Sequence, residues 1–488
     1  MEQLAPELLA FPPDSLLHDA SEKDYDKAVK SHLTRLNKLL TDKTPELVLH
    51  GPQLLELLNP AVNSISYLAV LHSLILPRLA TAAPQDVVLE KTIMFLLNYD
   101  ARQCRYAGAY LQDTFNAVGS GSLLPPSSAV EALTTAMLRL DPTGSMFTSS
   151  HLSLARLAYT TDTIAPALQL IDKDIVYYPG MANHGNPEYL GDLTLAPPAY
   201  ISRESCLTGL VKAQQVMEYD LLCGMMYCAR REWTKARVAF ERVLTFPTRD
   251  GGVSKIMVDA HKKWVLVTLL SKGKHSDPPS YTGGAAIKSY SALGKPYITL
   301  ASLFATSNVQ ELRMEVEKNS ELWSEDGNTG LVKEVMSAYQ KWHVLGLQDI
   351  YTKISIPEIR EQTTSAETGE TLPEDKDVEM LVQNMIAEGM LKGVIEKKDG
   401  TQFLSFLSPA TTLSEQDFAK ELARLAARLK ELAPIFKATN ERLGTSKDYV
   451  KYLVKEQKHG NKDEQDPTLG FDAQVDDEDL MGGVIATG

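Results

Sequence analysis

The stretch from Val378 to Leu407, VEMLVQNMIAEGMLKGVIEKKDGTQFLSFL, constrains the fold more than any other part of the chain, because a one-sided helical stripe runs straight into a hairpin. Apolar residues recur at Val378, Leu381, Val382, Met385 and Ile386, the spacing of a single buried helix face. Gly389 stands where a left-handed C-terminal cap belongs. Asp399-Gly400 is the pair that a tight hairpin turn prefers. With those two residues as the loop, Ile395 falls opposite Leu404 and Gly393 opposite Phe406, so Leu391, Ile395, Leu404 and Phe406 share one face. A helix followed by such a hairpin reads as the end of a winged helix.

The first half of that unit lies just upstream. Ser355 and Glu358 have the spacing of a capping box, with Pro357 in the first turn, so a helix is predicted to open at Ser355. Between it and the next helix, TTSAETGETLPEDKD is polar, acidic and aperiodic, and is predicted to be an extended surface loop.

From about residue 22 to 245 the chain alternates helix-length apolar stripes with short turns and shows almost no sustained two-residue alternation. DYDKAVKSHLTRLNKLL, ELVLHGPQLLELL, VVLEKTIMFLLNYD and SSAVEALTTAMLRL are examples. Stacked helical pairs are predicted. In one pair Gly224, Tyr227, Ala236 and Phe240 follow the relative spacing of a tetratricopeptide (TPR) repeat, with Pro247 one position early. The small residues let two helices approach, and the aromatics fill the space between neighbouring pairs. The other units match poorly, so the array is a degenerate solenoid. Proline and glycine cluster around Tyr177–Tyr200 and Lys272–Gly284, and both are predicted loops; the first includes a short extended piece at Asp192–Leu195.

Beyond the hairpin, Phe418, Leu422, Leu425, Leu429, Leu432 and Phe436 are spaced 4, 3, 4, 3 and 4. Leu443 and Val450 continue the seven-residue register, while Lys420, Glu421, Arg424 and Arg428 take other faces. Such a seam calls for a partner helix or for packing on its own domain, and Pro434 would kink either arrangement. After His459 the chain turns acidic and irregular, with Asp476, Asp477, Glu478 and Asp479 together, as in a disordered tail.

The expected fold is therefore mostly α, a TPR-like helical array followed by a winged-helix subdomain and a C-terminal helix. Its parts are an N-terminal segment (1–20), helical repeats (21–176), a proline-rich loop (177–200), a TPR-like helical part (201–345), the winged helix (346–410), the C-terminal helix (411–457) and the acidic tail (458–488).

Composition narrows the function. A formal charge of −14 disfavours nucleic acid or an anionic membrane as partner, since phosphates demand clustered Lys and Arg. A winged helix raises the question of DNA in particular, yet the segment that would face the groove carries Glu374, Asp375, Asp377, Glu379 and Glu388 against Lys376 alone. Lys397 and Lys398 at the hairpin tip read as a solvated turn. The best transmembrane candidate, from Tyr67, is broken by His72, Ser73 and Pro77, and the N-terminus has Glu2 and Glu7 in place of a basic signal region. Cys104, Cys206, Cys223 and Cys228 lack metal-site spacing and read as buried free thiols of a reducing compartment. A soluble intracellular protein is expected.

An enzyme needs a constellation, and the sequence offers none. No HxH or HExxH, no GxxxxGK[ST], no GxGxxG and no GxSxG occurs. Gly251-Gly252 and Gly283-Gly284 are bare loop doublets, and His261 and His343 sit in helical stripes as packed or surface residues. No catalytic residue, cofactor or metal is expected. The candidate contacts are protein–protein ones: Val394, Ile395, Phe403 and Phe406 on the hairpin, and Phe418, Leu422, Leu425, Leu429, Leu432 and Phe436 on the seam. Ile395 stays open between contact and core.

Helical repeats running into the wing GMLKGVIEKKDGTQFLSF resemble the PCI domain shared by subunits of the proteasome lid, the COP9 signalosome and a translation initiation complex. SKIMVDAHKKWVLVTLLSKGK from Ser254, the following PPSYTG, CGMMY at Cys223 and DGNTGLVKEVMSAY from Asp326 are similar to the signalosome members in particular. The similarity covers roughly residues 215 to 410, and departs from the family in the acidic insert after Gln362 and the proline-rich loop around Asn186. It implies that winged helices pair edge to edge, that C-terminal helices gather in a bundle, and that the other signalosome PCI subunits are the partners. It further implies a complex that removes a ubiquitin-like modifier from the cullins of ubiquitin ligases through a metalloprotease on a different subunit, in cytoplasm and nucleus. The related lid subunit is the alternative.

Overall fold

The computed structural model describes residues 4–13, 21–75, 85–179, 187–248, 252–398, 400–407, 415–444, 446–447 and 449–454. Asp399 and the acidic tail lie outside the described residues. The chain divides into two compact units, Met1–Ser414 and Glu415–Gly488.

The first unit is an array of helices, as the stripes require. Glu22–Asp42 opens on Ser21, whose Oγ accepts from Asp24 N at 3.2 Å, and it buries Tyr25, Val29, His32, Leu36 and Leu39. Thr44–Leu57, Gln85–Asn98 and Pro126–Leu140 fall on the other stripes. The TPR-like unit is the antiparallel pair Ala213–Ala229 and Trp233–Leu244, followed by Lys255–Lys272 against both. Gly224 and Ala236 are buried between the first two helices. Tyr227 reaches back to the preceding pair, its hydroxyl donating to Asp172 Oδ1 at 2.8 Å.

The proline-rich segment differs from the expectation. Asp192–Leu195 is not extended but turned: the Asp192 carboxylate accepts from Thr194 N at 2.8 Å and from its Oγ1 at 2.7 Å, a local side-chain bond that competes with strand geometry. Neighbouring carbonyls are gripped by two arginines of one helical turn. Arg102 Nε donates to Gly191 O at 2.7 Å, and Arg105 Nη1 donates to Leu190 O at 3.1 Å and Asp192 O at 2.7 Å. Their guanidinium planes lie over Tyr25 and Tyr200, 3.7 and 3.6 Å from the ring centroids.

The last part of this unit runs helix Thr329–Gly346, β1 (Lys353–Ser355), helix Ile356–Gln362, helix Asp375–Ala387, β2 (Gly393–Lys398) and β3 (Thr401–Phe406). That is the order of a winged helix. Ser355 Oγ accepts from Glu358 N at 3.3 Å as the sequence indicated, and Gly389 (φ 73°) supplies the left-handed cap. The sheet is antiparallel in the order β1-β3-β2, with Ile395 opposite Leu404 and Gly393 opposite Phe406. A core separate from that of the array forms from Ile354, Ile359, Val378, Val382, Met385 and Leu404.

Two further expectations are corrected in part. TTSAETGETLPEDKD is a largely exposed loop over residues 363–374, as expected, but Thr363 and Ala366 are buried at 2% and 1% exposure and its last three residues already form the first turn of helix Asp375–Ala387. Asp375 and Asp377 belong there physically, since carboxylates favour the positive end of a helix dipole. Cys206 is exposed rather than buried, on a residue with φ 57°; Cys104 and Cys223 are buried and Cys228 is half-buried.

The second unit is described as one helix, Glu415–Gly444, with Pro434 inside it, and a short helical stretch to Val454. Among the described residues no helix is long and apolar enough to cross a membrane.

Candidate protein-interaction surfaces

β3 is the central strand of the wing, so β2 is an edge, and among the described residues no strand pairs with its outer side. An open edge exposes a row of backbone N–H and C=O groups that a second chain can satisfy. Alternation then divides the candidates. Ile395 and Phe406 pack on the wing core with Leu404, whereas Val394, 47% exposed, lies on the opposite face with Glu396, Phe403 and Ser405. Ile395, left open by the sequence, is half-buried and packs against the wing core.

That outer face carries a small built cluster. Lys353 Nζ of β1 reaches across the sheet to Glu396 Oε2 at 2.5 Å and sits 5.3 Å from the Phe403 ring centroid. The hydrogen bond and charge of Lys353 hold the Glu396 carboxyl below the usual range. Glu396 opposite Phe403 follows from the hairpin register. Lys353 could not be foreseen, because a three-residue strand carries no alternation to read.

The six seam residues occupy one stripe of helix Glu415–Gly444, and their exposures run from 37% at Leu432 to 74% at Phe436. Flanking charges pair along the helix, Lys420 with Asp417 and Arg424 with Glu421, each at 3.5 Å. An apolar stripe bordered by charge is the pattern by which one helix packs on another.

The titratable groups that might suggest chemistry are packed. His261 stacks on Tyr290 with centroids 4.5 Å apart, and burial pushes its pKa down to about 4. His151 is pushed down to about 3 by burial despite its bond to Thr148, and His343 is lowered for the same reason. Burial raises the thiols of Cys104 and Cys223, opposite to what a nucleophilic or metal-binding cysteine needs. Among the described residues no group of three or more His, Cys, Asp or Glu is placed to hold a metal. An open groove of about 1000 Å³ lies between Trp233, Trp342 and Gly389. The charges on its rim answer one another, Arg231 with Glu334 at 2.6 Å and Lys341 with Glu388 at 2.9 Å.

Residues 25–285 match the family model described as COP9 signalosome complex subunit 3, N-terminal helical repeats, which carries the relationship well upstream of the residues where it was legible. The chain is 40% identical over 495 aligned positions, 98% of each sequence, to COP9 signalosome complex subunit 3 of Neurospora crassa. It is 29% identical over 448 positions to the protein of that name in Emericella nidulans, covering 88% of this chain and 89% of the relative. An alignment that spans 98% of the chain, with a family model that matches more than half of it, places the chain in the COP9 signalosome subunit 3 family.

Proposed function

We propose that this chain is a non-catalytic scaffold subunit of the COP9 signalosome, joined to the other PCI subunits through the β2 edge and the C-terminal seam. The observation that carries the reading is the exposed seam. Fully burying a Leu or Phe side chain is worth about 1.5–3 kcal/mol, so six seam residues hold enough apolar area to drive association after its entropy cost. The edge adds direction, because strand pairing fixes register as well as contact.

In this reading the metalloprotease that removes the ubiquitin-like modifier from cullins resides on another subunit, and cullin–RING ligases are met only through the assembly. The working compartments are cytoplasm and nucleus. The family relationship favours the signalosome over the proteasome lid. Removing everything from Phe418 onward tests the reading: the truncated chain should no longer co-purify with the complex, and stoichiometric recovery would refute it.

A further inference from the structure

The loop joining the two short wing helices is inserted into two cores at once. Ala366 is buried in the core of the helical array, whereas Leu372 packs on the core of the wing. Between them, helix Val309–Lys318 of the array takes hold of the loop backbone. Arg313 Nη1 donates to Thr368 O at 2.6 Å, and Gln310 Nε2 donates to Gly369 O at 3.2 Å. The fit is close: at Gly369, itself at φ 80°, a Cβ would stand 2.1 Å from Arg313 Nη1.

The loop is also shaped to be held. Gly369 N donates to Ser365 O at 2.8 Å and Ser365 N to Glu370 O at 2.9 Å, which closes residues 365–370 on themselves. Its two ends are tied as well. Gln340 Nε2 bonds Thr363 Oγ1 at 3.3 Å, and Arg360 meets Asp375 at 3.1 Å. A loop that only connected two helices would need none of these contacts, and irregular backbone is not buried without partners for its polar groups.

We infer that residues 363–374 are a strap that fixes the angle between the helical array and the wing, with Arg313 as its positioning residue. The array and the wing belong to one compact unit but have separate cores; helix Thr329–Gly346 runs from one core into the other, with Tyr339 in the first and Val344 in the second, and the strap is a second tie between them. Together with that helix, the strap therefore sets the direction in which β2 faces a partner strand. That last consequence rests on the proposed assembly through the wing; the fixed angle itself does not.

The test is a distance measured in the full-length chain. Spin labels go on Leu293→Cys in the array and Met380→Cys in the wing, both exposed positions, with Cys206→Ser to remove the exposed native thiol. The parent should give one narrow distance distribution. Arg313→Ala and Gly369→Ala should each broaden it roughly twofold while circular dichroism stays unchanged, and Arg313→Lys should restore part of the order. An unchanged distribution in both variants would overturn the strap. If the competent orientation falls to roughly a tenth of the population, affinity for partner subunits should weaken about tenfold. Broadening with undiminished assembly would uphold the strap and count against wing pairing as the contact.

Discussion

Phe240 lies against the backbone of Gly224, so close that a Cβ at 224 would come within 2.4 Å of the ring carbon Cε1. This contact sets the distance between helices Ala213–Ala229 and Trp233–Leu244. Glycine in a helix interior normally costs about 1 kcal/mol relative to alanine. Here the space makes it necessary.

Gly224→Ala should therefore destabilise the chain in spite of its better helix propensity. Overpacking against a fully buried ring costs about 1–3 kcal/mol, which exceeds the propensity gain. The urea midpoint should fall, and further for Gly224→Val. A midpoint at or above that of the parent would show that the two helices can separate at no cost.

Val394 and Ile395 are neighbours on opposite faces of β2, and a charge should do different things at each. Ile395→Asp places a carboxylate against the wing core from a half-buried position and should cost about 1–3 kcal/mol. Val394→Asp should leave the folded chain within about 0.5 kcal/mol of the parent and act on assembly alone. Equal loss of stability in the two variants would contradict the packing of Ile395 against the core.

What the sequence made legible follows from which physical signals are local. The wing register could be read because Gly400, Gly393 and the alternation from Leu391 to Phe406 leave one pairing that keeps Leu404 and Ile395 on the same side. The seam could be read because its spacing lies within one helix. The strap could not. Ala366 sits in a polar run yet is buried in the core of the array, and the side chains that hold its loop, Arg313 and Gln310, are remote in sequence and bind backbone carbonyls, so they leave no side-chain pattern. Asp192 misled for a related reason, since one carboxylate turning back on Thr194 overrides the strand preference of its neighbours. Among the contact candidates, alternation placed Val394 and Ile395 on opposite faces, but only the packing showed which face is core.

Three buried histidines make stability depend on pH. Burial pushes His32 and His261 down to about 4 and His151 down to about 3, against about 6.5 in the unfolded chain. Above about pH 6.5 these groups are neutral in both states and add no slope. Below it the unfolded chain binds protons that the folded chain refuses, so stability falls as pH drops toward about 4. Asp220 acts in the opposite sense: burial pushes its carboxyl up to about 6 even beside Arg242, so between about pH 6 and 4 the folded state holds a proton that the unfolded state lacks. The balance near pH 5 is about two protons, a slope of roughly 2–3 kcal/mol per pH unit. Urea unfolding at pH 7 and pH 5 should show that loss, and equal stability at both would contradict the neutral buried histidines.

In the function proposed above, this chain builds the complex rather than acting in it, and the seam is where it holds on. The most direct measurement is purification of the tagged full-length chain from its native cells beside a Leu429→Glu, Phe436→Glu variant, with partners identified by mass and each eluate assayed for removal of the modifier from cullins. The parent should bring down the signalosome subunits in stoichiometric amounts together with that activity, and the variant should yield a folded chain without either. A variant that retains the full set of subunits and the activity, or a parent recovered alone, would overturn the scaffold role.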